Sequence, residues 1–97
     1  MSMVFRAAAV QAEPVWFDAA ATTDKTIALM REAAAGGAKL VAFPELWIPG
    51  YPGFMLTHTQ AETLPYIMAY RQQSIRADGP EVERIREAAQ ACGIAVA

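Results

Sequence analysis

The chain has little of the side-chain chemistry from which most sites are recognised. Its 97 residues hold one cysteine, Cys92, one histidine, His58, and two lysines, Lys25 and Lys39. A lone cysteine closes no internal disulfide, so nothing points to an oxidising compartment. A lone histidine without cysteine or acidic neighbours gives no metal site, and no cofactor is implied. Eight Lys+Arg against ten Asp+Glu leave a net charge of −2. With no basic run, this argues against nucleic acid or an anionic membrane as partner. No stretch approaches about eighteen consecutive apolar residues, so no transmembrane helix is expected. The start, Met1-Ser2-Met3-Val4-Phe5-Arg6, lacks the basic flank and apolar run of a secretory leader. A cytoplasmic protein is the expectation.

What is present is apolar. Hydrophobic residues make up 55% of the chain and charged ones 19%, below the usual proportion of about a quarter. The length allows at most one small domain. That domain can bury a core, and its apolar excess suits a surface covered by further protein.

Taken in order, Met3 to Gln11 predicts a strand, nearly continuous in apolar residues, as in a sheet covered on both faces. Alanine is a poor strand former, so pattern rather than propensity carries this expectation. Asp18 is a helix N-cap ahead of an alanine-rich run. From Ala19 to Ala35, the residues Ala20, Thr23, Ile27, Met30 and Ala34 recur at helical spacing, with Asp24, Lys25, Arg31 and Glu32 mostly off that stripe. Gly36-Gly37 closes the helix. A second strand is expected from Lys39 to Phe43; strand, helix and strand with short joins make a βαβ unit with parallel strands. Pro49, Gly50, Pro52 and Gly53 predict an irregular loop from Trp47 to about Ala61. Leu64 to Ser74 reads as a helix with Pro65 in its first turn. Asp78-Gly79-Pro80-Glu81 starts another, with Val82, Ile85, Ala88, Ala89 and Cys92 on its inner face. Gly93 ends it, and Ile94 to Ala97 begins a third strand. A strand of four residues directly after a βα crossover predicts a fold cut within that strand.

The stretch with the most chemical content is Leu40 to Pro52. A short apolar run stops at Pro44, Glu45 follows at once, and a stiff loop of prolines, glycine and aromatics comes next. Open α/β folds place their chemistry at the carboxyl ends of strands. A carboxylate in an apolar pocket there can take a proton near neutral pH. Glutamates after strands also commonly sit at the surface or cap a helix, so position alone does not decide the role.

At Phe43-Pro44-Glu45 the sequence resembles the nitrilase superfamily of carbon–nitrogen hydrolases. Ala9-Val10-Gln11, the Ala33-Ala34-Ala35-Gly36-Gly37-Ala38 helix end and Asp78-Gly79-Pro80 are also similar to that family, so the resemblance runs the length of the chain. Ile48-Pro49-Gly50-Tyr51-Pro52 resembles the nitrilase branch more than the amidase, carbamoylase or ureidopropionase branches. The resemblance implies an α-β-β-α sandwich, of which residues 1–97 would be the amino-terminal part, and a homo-oligomer, either a dimer or a spiral. It implies a nitrile or amide substrate and a Glu–Lys–Cys set. In that set the Glu is the base towards the Cys thiol, the Cys attacks the nitrile or amide carbon, and the Lys stabilises developing charge. Only the Glu maps onto this sequence, at Glu45.

The remaining candidates are weaker. Cys92 lies on an apolar helix face without a following Trp-Glu, and free cysteine commonly packs as a small hydrophobe. Lys25 belongs to a solvated helix face, and Lys39 precedes its strand at the end remote from Glu45. His58 sits in a polar Thr57-His58-Thr59 loop, and Arg71 suits an ion pair or an interface. Trp47, Tyr51 and Phe54 either line a substrate pocket or pin the loop into the core; Tyr51 is the best pocket candidate, because its phenol can reach a polar substrate while its ring packs, with Trp47 second. Three functions follow: a nitrilase of which this is the amino-terminal part, an amidase-type reaction on the same scaffold, or a non-catalytic fragment or subunit that packs on another chain.

Overall fold

The computed structural model describes residues 3–97; the Met1-Ser2 start lies outside them. Strand β1 (Ala7–Ala9) leads through helix α1 (Ala19–Ala35) to β2 (Leu40–Ala42). A short helix α2 (Phe54–Thr57), α3 (Gln60–Gln72) and α4 (Pro80–Cys92) precede β3 (Ala95–Val96). The strands form one parallel sheet in the order β1-β2-β3, with Ala8 opposite Val41 and Val41 opposite Val96. The fold is therefore mixed α/β, built on the expected βαβ unit.

The strands are shorter than the sequence suggests. Met3 and Val4 stand free of the sheet, while the hydrogen-bond ladder runs from Arg6, whose carbonyl accepts from Lys39 N–H, to Val10, whose N–H donates to Ala42. Cover on both faces is not found among the described residues. Helices α1 and α4 pack together on one face, where Ile27, Met30, Val41, Ala88 and Ile94 are buried against Ala8, Val10, Ile85 and Val96. The other face carries Ala7, Ala9 and Ala95, all exposed, in the period-two alternation of a pleated strand. No helix of the described residues is long and apolar enough to cross a membrane.

Helix α1 is capped as expected, since Asp18 accepts from Ala21 N–H at 2.9 Å. Its buried stripe is rotated from the expected one, and it includes Ala19, Thr22 and Thr26, while Ala20 is exposed. The buried threonines are satisfied locally. Thr23 and Thr26 donate to the carbonyls one turn back, and the Thr22 hydroxyl exchanges hydrogen bonds with both backbone groups of Val15 at 3.0 Å. The last of these ties the β1–α1 loop down onto the helix.

Between β2 and α4 the structure corrects the sequence reading twice. Residues 54–57 are helical rather than loop, and α3 begins at Gln60, four residues before the expected start. The cause is a capping box: Thr59 Oγ1 accepts from Glu62 N–H, and the Glu62 carboxylate accepts from Thr59 N–H at 2.9 Å. Pro65 thus lies inside α3 rather than in its first turn, and Ala61 loses its regular backbone donor. Helix α4 starts at Pro80 and closes on Gly93 in the left-handed conformation, φ 64°, as the sequence predicts.

Hydrogen bonding from Thr59, its backbone N–H first and its side chain second, holds the Glu62 carboxyl below the usual value of 4.5, with a smaller contribution from His58. A lowered carboxylate stabilises the fold above its unfolded value, and that contribution disappears as pH falls through the folded value. Thr59→Pro, which suits the Thr59 φ of −68° and removes both its N–H and its hydroxyl, should bring the Glu62 titration back towards 4.5 in a carboxyl-carbon NMR titration and fray the first turn of α3. An unmoved midpoint would show that the cap does not control this carboxylate.

Candidate active site

Glu45 leaves the carboxyl end of β2, at the edge where parallel α/β sheets present ligand sites. Its backbone is anchored on both sides. Two residues before it, Phe43 N–H donates to the Ala97 carbonyl at 2.8 Å, extending the β2–β3 ladder past β3. Two residues after it, the Trp47 indole N–H donates to Thr26 Oγ1 at 2.7 Å inside the core. The Phe43 and Trp47 rings pack together with centroids 5.4 Å apart. Leu46, between Glu45 and Trp47, takes the left-handed conformation, φ 54°, which a residue with a bulky side chain seldom adopts. The turn carries Glu45 to the surface while Trp47 and Ile48 go inward beside Ala19.

The apolar shell expected around Glu45 is not found among the described residues, because the side chain is exposed. What these residues supply is a carboxylate at a fixed place on the sheet edge. Trp47 is 7% exposed and serves as the pin of the loop, away from the lining of the large cavity described below. Tyr51 does line that cavity, as do Phe54 and His58. The other reactive side chains stand elsewhere. Lys39 precedes β2 and Cys92 precedes β3, so both lie at the amino edge of a parallel sheet, opposite Glu45. Cys92 packs on the core with Ala89 and Val96. Lys25 donates to the Glu13 carbonyl. Among the described residues no group of three His, Cys, Asp or Glu stands ready to hold a metal ion.

The cavity, of about 700 Å³, lies among the β1–α1 loop, the segment after β2 and helix α3. Trp16 and Phe17 come from the first, Tyr51, Phe54 and His58 from the second, and Glu62, Thr63 and Tyr66 from the third. Sequence reasoning missed Trp16, Phe17 and Tyr66. The signal for Tyr66 was the Thr59-x-x-Glu62 box, which brings α3 alongside the loop; Trp16 and Phe17 carry no local pattern. Gly50, at φ 87°, sits against the Trp16 ring so closely that a Cβ there would lie 2.4 Å from Trp16 Cζ3. Gly50→Ala should therefore cost about 1–2 kcal/mol for its left-handed backbone, displace Trp16 and shift its fluorescence emission. A variant with unchanged stability and emission would show that Trp16 is not seated on Gly50.

The carbon–nitrogen hydrolase family profile matches residues 6–97. A bromoxynil-specific nitrilase from Klebsiella pneumoniae subsp. ozaenae is 71% identical over 96 residues, which are 99% of this chain and 28% of that protein. A nitrilase from Pseudomonas syringae pv. syringae (strain B728a) is 48% identical over 99% of this chain and 29% of its own length. A cyanide hydratase from Stereum hirsutum (strain FP-91666) is 49% identical over 89% of this chain and 23% of its own. The chain thus spans less than a third of the length of these relatives. A family profile covering nearly every residue, on a parallel α/β frame that delivers Glu45 to its carboxyl edge, places the chain in the carbon–nitrogen hydrolase family.

Proposed function

We propose that this chain is the amino-terminal part of a nitrilase, which converts a nitrile and two waters into a carboxylic acid and ammonia. The observation that carries this reading is the 71% identity to a bromoxynil-specific nitrilase, spanning the Phe43-Pro44-Glu45 turn. Residues 1–97 are then the opening segment of a single hydrolase domain. Glu45 acts as general base: it takes the proton from a cysteine thiol, and the sulfur forms a bond to the nitrile carbon. A lysine stabilises the charge that develops at nitrogen. Water then releases ammonia to leave a thioester, and a second water releases the acid and restores the thiol. The cysteine and lysine of that set are neither Cys92 nor Lys39, which lie at the opposite edge, nor Lys25, whose ammonium is engaged by the Glu13 carbonyl. The working enzyme is a homo-oligomer, dimer or spiral, while the alanine face of the sheet is left for the second sheet of the α-β-β-α sandwich. It is cytoplasmic.

A second reading, action on cyanide, is supported by a cyanide hydratase that matches at 49% identity, level with the 48% of the Pseudomonas nitrilase though below the 71% of the bromoxynil-specific one. The same catalytic set would also serve an amidase-type reaction. The test is ammonia release by the full-length protein from bromoxynil, other nitriles, cyanide and the matching amides. Nitriles should be turned over, and Glu45→Gln should lower the rate by about 10²–10⁴-fold, the usual contribution of a general base. Turnover that survives Glu45→Gln sinks the role given to that residue. Release from amides alone replaces the nitrilase reading with the amidase one.

A further inference from the structure

The turn that bears Glu45 is tied to one residue in the middle of helix α1. Thr26 is 2% exposed, and its hydroxyl has one proton to donate and lone pairs to accept with. The proton goes to the Thr22 carbonyl one turn back, at 2.7 Å. The oxygen is left as an acceptor, and the Trp47 indole N–H donates to it at 2.7 Å. An indole nitrogen only donates, so the direction of both bonds is fixed. Helix α1 also holds a comparison. Thr23 is 0% exposed, and its hydroxyl likewise donates one turn back, to the Ala19 carbonyl at 2.7 Å. A buried threonine that only satisfies its own helix looks like Thr23. Thr26 differs from it in receiving the indole.

The indole is a short lever on the backbone of Glu45. Trp47 follows Glu45 by two residues, and Leu46 between them is left-handed, φ 54°. Such a conformation in a large residue persists where its surroundings impose it. On the strand side the restraint is the Phe43 N–H bond to the Ala97 carbonyl. On the other side it is the Trp47 ring, packed with Ala19, Ile48 and Leu29. Apolar packing is non-directional and leaves a ring free to slide in its plane. A hydrogen bond weakens steeply when bent, so the Thr26 oxygen fixes what the packing leaves free. Among the described residues no buried side-chain nitrogen or oxygen lacks a partner, and without Thr26 Oγ1 the indole would be the first.

We infer that Thr26 is a positioning residue for Glu45: by holding the Trp47 indole it keeps the Leu46 turn in its left-handed form and the backbone of Glu45 in place. The inference rests on the general-base role proposed above for Glu45. Once the acceptor is lost, the indole shifts to find water, Leu46 relaxes towards an ordinary conformation, and Glu45 moves with it. A displacement of about 1 Å caused far from the chemistry can cost about 10²-fold in rate.

The test compares Thr26→Val with Thr23→Val in the full-length protein, on the nitrile or amide that it turns over fastest. Each substitution keeps the branched shape and removes one buried hydroxyl from α1. Rates are read well below the melting temperature of each variant, so that loss of stability alone leaves kcat unmoved. Thr26→Val should lower kcat by about 10–100-fold with KM unchanged, the pattern of a defect confined to the chemical step. Thr23→Val should keep kcat, and Thr26→Ser, which restores the acceptor, should recover it. Trp47→Phe keeps an aromatic ring and removes the donor; it should reproduce the loss, and it carries the test should Thr26→Val fail to fold. A kcat that falls equally in Thr23→Val, a rise in KM in place of the fall in kcat, or no recovery in Thr26→Ser would overturn the positioning role. So would an unchanged kcat in Thr26→Val and Trp47→Phe while Glu45→Gln abolishes turnover, and in that case the proposed function stands. Turnover that survives Glu45→Gln, or no hydrolysis of any nitrile or amide, would overturn the function and this inference with it.

Discussion

The hydrogen bond from the Trp47 indole to Thr26 Oγ1 is the contact on which the placement of Glu45 depends. It crosses 21 residues and joins the turn after β2 to the middle of α1 inside the core. An indole N–H buried without an acceptor costs on the order of 1–3 kcal/mol, so the Trp47 ring is held in the one pocket where the hydroxyl meets it. Thr26 is itself fixed, because its own proton goes to the Thr22 carbonyl, and the Thr22 hydroxyl holds both backbone groups of Val15. A single line of polar contacts therefore runs from the β1–α1 loop through the helix to the turn that bears Glu45. The two segments that form the carboxyl edge of the sheet are set by the same helix.

The sheet contributes the other half of this constraint. Its strands are mostly alanine, which brings little packing of its own to a pleated surface. Their position comes instead from the ladder and from the helices on one face. The ladder is longer than the strands it defines, reaching Phe43 through its bond to Ala97. Glu45 thus begins two residues beyond a hydrogen-bonded position and ends two residues before a buried indole. The backbone that carries Glu45 is thus fixed although its side chain is exposed.

The elements whose signals are local were legible in the sequence. Asp18, Gly36, Pro80 and Gly93 mark the ends of α1 and α4 where the structure has them, because a cap is satisfied within a few residues of itself. Glu45 at the end of β2 was legible for the same reason, since an apolar run halted by proline announces a strand end. The start of α3 was equally local but was obscured by Pro65, whose preference for the first turn competed with the Thr59–Glu62 box four residues earlier. The buried stripe of α1 was not legible. Thr22 and Thr26 are polar by composition and become core residues only because Val15 and Trp47 occupy their hydroxyls, and no pattern within the helix encodes those partners. The aromatic cavity was hidden for a related reason, as it draws on three segments separated by tens of residues.

The left-handed Leu46 shows how these constraints combine. The strand delivers Phe43 with its ring directed into the core, and Trp47 must also point inward to reach Thr26, with Glu45 left outside between them. An extended run would put Glu45 on the same side as Phe43 and Trp47, so the chain turns here, and Leu46 adopts a conformation that costs of order 1–3 kcal/mol. Glycine would adopt it freely, yet would also loosen the turn through the entropy of its unfolded chain. A leucine in that position keeps the turn stiff, and the buried indole on one side and the β-ladder on the other supply the restraint that holds it there. The strain lies directly beside the carboxylate, where a rigid backbone has the most effect on where that carboxylate points.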